Sequence, residues 1–159
     1  EFYKISQVNI AEMRGEKPPS PATLDIIFST PHYDIDRINN RYVHKRKHGK
    51  KAIIVPKEEQ LLIVEGWAID AEAKDEAGGV YIDIDGKFYS TLYGIELRDG
   101  IRGGIVNPLG KSIYRNSCYA GIIPIPEVGQ GLHTLSIKVL TKDKMAYYKN
   151  EEKILLEIR

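Results

Sequence analysis

The chain has 159 residues, 42% of them apolar and 28% charged, with a formal net charge of +1. That length suits one domain with a real core, and the near-zero charge offers no global field to select an anionic partner. No apolar run approaches the roughly 18 residues that cross a bilayer as a helix, and the single cysteine, Cys118, excludes an intramolecular disulfide, a CxxC redox pair and a cysteine-rich metal site.

The chain opens on Glu1-Phe2-Tyr3-Lys4, with neither an initiator Met nor a basic-then-apolar leader, so the expectation is a fragment of a longer protein. Phe2 to Ile10 reads as an extended strand. Pro18, Pro19 and Pro21 then stiffen a linker that cannot be helical. A lead-in strand and Pro-rich linker over 1–21, followed by one β-sandwich domain over 22–159, is the expected organisation.

Leu24 to Phe28 is a short apolar strand ended by Thr30-Pro31, and Tyr33 to Ile38 is a second, closed by the turn signal Asn39-Asn40. The segment 41–51 is strongly biased, with Arg41, Lys45, Arg46, Lys47, Lys50 and Lys51 beside His44 and His48. Ile53-Ile54-Val55 resumes apolar character, Pro56 to Glu59 is a loop, and Gln60 to Asp70 is a strand whose Leu61 to Val64 run suggests burial on both faces. Glu72 to Gly79 is a polar loop.

Val80, Ile82 and Ile84 then alternate with Tyr81, Asp83 and Asp85, a period of two that puts one face in a core and the other in water. Asp85-Gly86 supplies two residues tolerant of positive φ, as a type I′ hairpin turn demands. Lys87 to Tyr93 carries the returning strand. Residues 94–112 are glycine-rich and irregular, and Tyr119 to Ile125 is a strand that Pro124 confines to an edge or an end. Leu132 to Leu140 alternates over its whole length. Ile154, Leu156 and Ile158 close the domain, and 142–157 is read as a turn plus strand because Glu152 breaks the apolar face of the competing helix. About eight strands at roughly 10-residue spacing, with no convincing helix, are the signature of an antiparallel, Ig-like β-sandwich.

These strands resemble a β-sandwich module found outside the membrane in bacterial multi-spanning proteins linked to surface polysaccharide and glycosyl transfer. The resemblance is carried in order by Asp34 to Asn39, by Gly66-Trp67-Ala68-Ile69-Asp70, by Gly79-Val80 through Asp85-Gly86-Lys87, by Tyr93-Gly94 with Arg98, by Asn116 to Gly121, and by Gly131 to Val139. It implies an extracytoplasmic position, periplasmic or at the cell surface, a membrane-embedded partner within the same parent protein, and no chemistry of its own. The basic segment and the glycine-rich loop over 99–113 depart from the pattern.

Candidate sites follow from the residues. Tyr81 and Tyr89 are expected on one exposed face with Asp83, where rings stack on sugar CH groups and a carboxylate takes hydroxyls. With Arg98 from the resemblance, they form the ligand-binding candidates. The competing reading of the tyrosines is plain β-propensity. Lys45, Arg46, Lys47, Lys50 and Lys51 are the candidates for an anionic wall polymer or membrane surface, held by counterion release. A solvated hairpin extension is the alternative, and no nucleic acid is expected. Asp83-Ile84-Asp85 imitates a DxD metal–nucleotide motif but is read as a hairpin end. Asp70, Glu72, Asp75 and Glu76 match no calcium-loop spacing. Asp70 and Asp83 are the one carboxylate pair weighed for glycoside hydrolysis. Trp67 and Cys118 are assigned to the core. No metal, cofactor or catalytic residue is assigned. The leading function is non-catalytic recognition at the cell surface, and the alternative is a carbohydrate-binding module serving a membrane glycosyltransferase.

Overall fold

The computed structural model describes residues 18–43, 51–96 and 115–159. Two sheets stack face to face. One runs β3 (Arg41–Tyr42), β2 (His32–Ile38), β5 (Leu61–Asp70), β10 (Cys118–Pro124), β9 (Leu92–Ile95), with β6 (Asp75–Glu76) also on β5. The other centres on β11 (Gly131–Leu140). β7 (Gly79–Ile84) and then β8 (Lys87–Ser90) extend it on one side, with β13 (Ile154–Ile158), β4 (Ile53–Val55), β12 (Ala146–Tyr148) and β1 (Asp25–Ile27) completing it. The expected all-β sandwich is the fold. β10 ends, as Pro124 requires, in a single helical turn, α1 (Ile125–Val128).

Most pairings are antiparallel, but β1 runs parallel to β12 and β4 parallel to β13. These edge pairings join segments far apart in sequence, which no local turn dictates. The region 142–157 does hold strands, β12 and β13, rather than a helix.

The core lies between the sheets. Val80, Ile82, Ile84, Leu135, Ile137 and Val139 from one sheet meet Ile35, Ile38, Leu62, Val64, Tyr119 and Ile123 from the other. Two glycines let backbones and side chains approach. A Cβ on Gly66 would sit 2.0 Å from the Asp34 carbonyl oxygen, and one on Gly121 would sit 2.2 Å from Ile82 Cδ1 across the sandwich. Trp67 is not in this core. Gly66 and Ala68 on either side of it face inward, so the period of two points Trp67 outward, where it is half-buried with Ile69, Ala71 and Cys118.

Both hairpin signals fold as their residues dictate. Asp85 and Gly86 take φ values of 52° and 88°, and Asn39 and Asn40 take 48° and 64°. Asn39 is further fixed because its side chain donates to the Leu61 carbonyl at 2.8 Å and accepts from the Ile63 N–H at 2.6 Å. Part of the proline-rich linker packs on the domain: Pro18 and Pro21 are buried, and the Pro18 carbonyl accepts a hydrogen bond from Tyr81 Oη at 2.6 Å.

Candidate functional site

The two-residue turn sets the register of β7 against β8. Ile84 faces Lys87, Asp83 faces Phe88, Ile82 faces Tyr89 and Tyr81 faces Ser90. Residues directly opposite each other share a face. Tyr89 therefore lies with Ile82 on the core side, and Asp83 keeps company with Phe88. This corrects the expected Tyr81–Asp83–Tyr89 surface. Tyr81 does share the outer face with Asp83, but it is only 2% exposed, because its ring is covered where the linker carbonyl of Pro18 takes its hydroxyl. Burial raises the Tyr81 phenol above its ordinary value. Tyr81 is thus buried, and Tyr89 is half-buried against the core with Lys87 Nζ 5.1 Å from its ring centre.

Asp83 remains at the surface and forms part of a different site. On the outer face of the β7–β11 sheet it lines an open basin of about 610 Å³ with Ile26, Lys138, Tyr147, Lys149, Asn150, Glu151 and Lys153. β7 supplies Asp83, β11 supplies Lys138, and the parallel pair β1–β12 supplies Ile26 opposite Tyr147. Tyr148 turns into the core, so its neighbour Tyr147 turns out.

The floor is an ion pair with hydrogen-bonded support. Lys138 Nζ lies 3.8 Å from Asp83 Oδ2 and donates to the Asn150 carbonyl at 3.2 Å and to Ser136 Oγ at 3.4 Å. Asp83 Oδ1 accepts the Gly86 N–H at 2.7 Å, which ties the floor to the hairpin turn. One wall is the segment 149–153 between β12 and β13. Asn150 is buried there, with Nδ2 donating to the Ile137 carbonyl at 2.9 Å. Beside Lys149 the margin is apolar: Ile26 is 46% exposed and Phe28, two residues on, is 79% exposed, with Lys149 Nζ 5.1 Å from the Phe28 ring centre.

The other candidates fall elsewhere. Lys51 is exposed ahead of β4. Lys45, Arg46, Lys47, Lys50 and Arg98, with His44 and His48, lie outside the described residues. Arg41 is engaged locally, bonded to Glu59 at 2.7 Å, which lowers the Glu59 carboxyl below its usual range.

Asp70 and Asp83 are not across paired strands, since β5 and β7 belong to different sheets. Asp70 is consumed in the frame: it accepts the Tyr148 hydroxyl, the Lys142 N–H at 2.7 Å and the Ala73 N–H at 3.1 Å. It thereby joins the end of β5 to the β11–β12 turn. Its loop neighbours Glu72 and Asp75 engage Ser29 Oγ at 2.7 Å and Lys142 Nζ at 3.5 Å. Among the described residues no group of three His, Cys, Asp or Glu is placed to hold a metal ion. Asp85, the second carboxylate of the DxD look-alike, closes the hairpin onto β11. It accepts the Thr134 N–H at 2.9 Å and faces His133 Nδ1 at 2.6 Å, while His133 Nε2 faces the Gly129 carbonyl at 2.8 Å.

Comparison with known protein families, curated proteins and solved structures returned no match.

Proposed function

We propose that this chain is a non-catalytic recognition module on the extracytoplasmic side of a membrane-anchored bacterial protein, and that it holds a glycan in the basin around Asp83. One observation carries the reading. An outward tyrosine, Tyr147, shares an open basin with a carboxylate, Asp83, and the exposed lysines Lys149 and Lys153, and the sheet fixes the positions of Tyr147 and Asp83. A sugar ring asks for that combination: an apolar, polarisable surface for its CH face and fixed polar groups for its hydroxyls. The side of the membrane and the attachment to a parent protein rest on the ordered motifs Gly66 to Asp70, Gly79 to Lys87 and Gly131 to Val139. The non-catalytic reading is supported by the fate of Asp70, whose carboxylate is bound within the frame and away from Asp83.

The test is a glycan screen of the chain and of Tyr147→Ala, with a thermal melt of each. Truncating an aromatic anchor typically costs about 2 kcal/mol, so the variant is expected to bind its glycan about tenfold or more weakly while melting normally. Retention of no glycan, or equal binding by Tyr147→Ala, overturns the reading.

A further inference from the structure

The basin's charge distribution deepens the glycan reading and rests on it. We infer that the glycan is acidic, carrying carboxylate or phosphate groups, and that Lys149 and Lys153 receive its negative charge above the Lys138–Asp83 floor. The three lysines do different work. Lys138 is already committed: its side chain is only 13% exposed and is held by Asp83, Ser136 and Asn150. Lys149 is committed weakly. Its partner Glu151 stands 3.2 Å away with an 82% exposed side chain, and such a surface pair contributes little and is readily exchanged for another anion. Lys153 is exposed and makes no ion pair or hydrogen bond among the described residues. Three lysines face two carboxylates in the basin, and one of those, Glu151, is free to swing into solvent.

The lysines sit on a wall that is fixed before any ligand arrives. The Lys149 N–H donates to the Ile27 carbonyl at 2.7 Å, and Asn150 Nδ2 to the Ile137 carbonyl at 2.9 Å. The Glu152 N–H donates to Asn150 Oδ1 at 3.0 Å, and Tyr33 Oη to Glu152 Oε1 at 2.9 Å. These bonds reach both sheets. They turn Asn150 inward and leave Lys149 and Lys153 outward, so the backbone ordering that binding otherwise requires is complete on folding. A lysine ammonium is a point charge without the planar fork of arginine, so it accepts carboxylate and phosphate alike.

The experiment measures binding of the chain to polygalacturonate, to a poly(glycerol phosphate) and to neutral dextran, at low and high salt. Lys149→Ala/Lys153→Ala and a Lys45→Ala/Arg46→Ala/Lys47→Ala variant run alongside. The expected result is salt-sensitive binding to one or both acidic polymers, weakened at least about fivefold by the Lys149/Lys153 pair and unaffected in the melt. Binding to polygalacturonate alone assigns the charge to carboxylate, and to the polyphosphate alone to phosphate. Salt-insensitive binding of dextran, equal in the Lys149/Lys153 variant, overturns the acidic ligand and leaves the glycan module standing. Acidic-polymer binding lost only in the 45–47 variant overturns the basin as the anionic site. No binding to any glycan in this set or in the wider screen overturns both.

Discussion

Gly121→Ala tests the stacking of the two sheets through one atom. The new Cβ would sit 2.2 Å from Ile82 Cδ1 and 3.2 Å from Thr91 Cγ2, in a core where both sheets are close-packed. Gly121 is not among the residues at positive φ, so its backbone accepts alanine. Alanine also stiffens the unfolded chain, a gain of about 0.4–1 kcal/mol. Overpacking costs about 1–3 kcal/mol, so the net is a destabilisation of about 1–2 kcal/mol. At about 2–4 °C per kcal/mol for a domain of this size, Tm falls by about 2–8 °C. Ile82→Val deletes the clashing atom, and Ile82 Cγ1, at 3.6 Å, is an ordinary contact. Alone that change costs about 0.5–1.5 kcal/mol. The double variant should therefore be more stable than the sum of the two by about 1–2 kcal/mol, close to Ile82→Val itself. A four-member denaturation cycle in urea reads this directly. Additive effects, or a neutral Gly121→Ala, would refute the register in which β10 and β7 face each other.

Tyr148→Phe removes the hydroxyl that bonds the buried Asp70 and so leaves a carboxylate short of one partner. A loss of about 1.5–3 kcal/mol is expected by chemical denaturation, and an unchanged midpoint would contradict the role given to Asp70. The Asp85 carboxyl is held below its usual range, first by the Thr134 N–H and then by His133. A depressed folded value means the stabilisation is fully present above the ordinary carboxylate pKa of about 4 and is lost as pH falls through the lower folded value. Asp85→Asn keeps a turn-forming Asn-Gly pair, so melts between pH 2 and 6 should show a shallower acid limb in the variant, and parallel limbs would count against the assignment. Tyr81→Phe frees the Pro18 carbonyl, and limited proteolysis is expected to cut within 18–23 faster than in the parent; identical cleavage would show that this bond does not hold the linker.

Much of the fold was legible because its signals are local. The Asp85-Gly86 turn, the alternation of Val80 to Ile84 and of Leu132 to Leu140, and Pro124 as a strand end each follow from residues within a few positions. Taken in isolation, the returning strand puts Tyr89 on the exposed face. A two-residue turn pairs Ile82 with Tyr89, and that arithmetic alone places Tyr89 on the core face. Trp67 was legible by the same rule, since glycine and alanine on either side mark the inward face. Tyr81 was not: its burial comes from Pro18, 63 residues away. The basin was also out of reach. It needs β1 beside β12 and β7 beside β11, pairings set by long-range packing, and only the polar interruption Lys149 to Lys153 between two strands gave a local hint.

The most direct measurement is a backbone amide NMR titration with short acidic oligosaccharides beside their neutral counterparts. The account predicts shift changes clustered at Asp83, Lys138, Tyr147 and residues 149–153, stronger for the acidic ligand and shrinking with salt. Changes confined to another face, or none with any glycan, would contradict it.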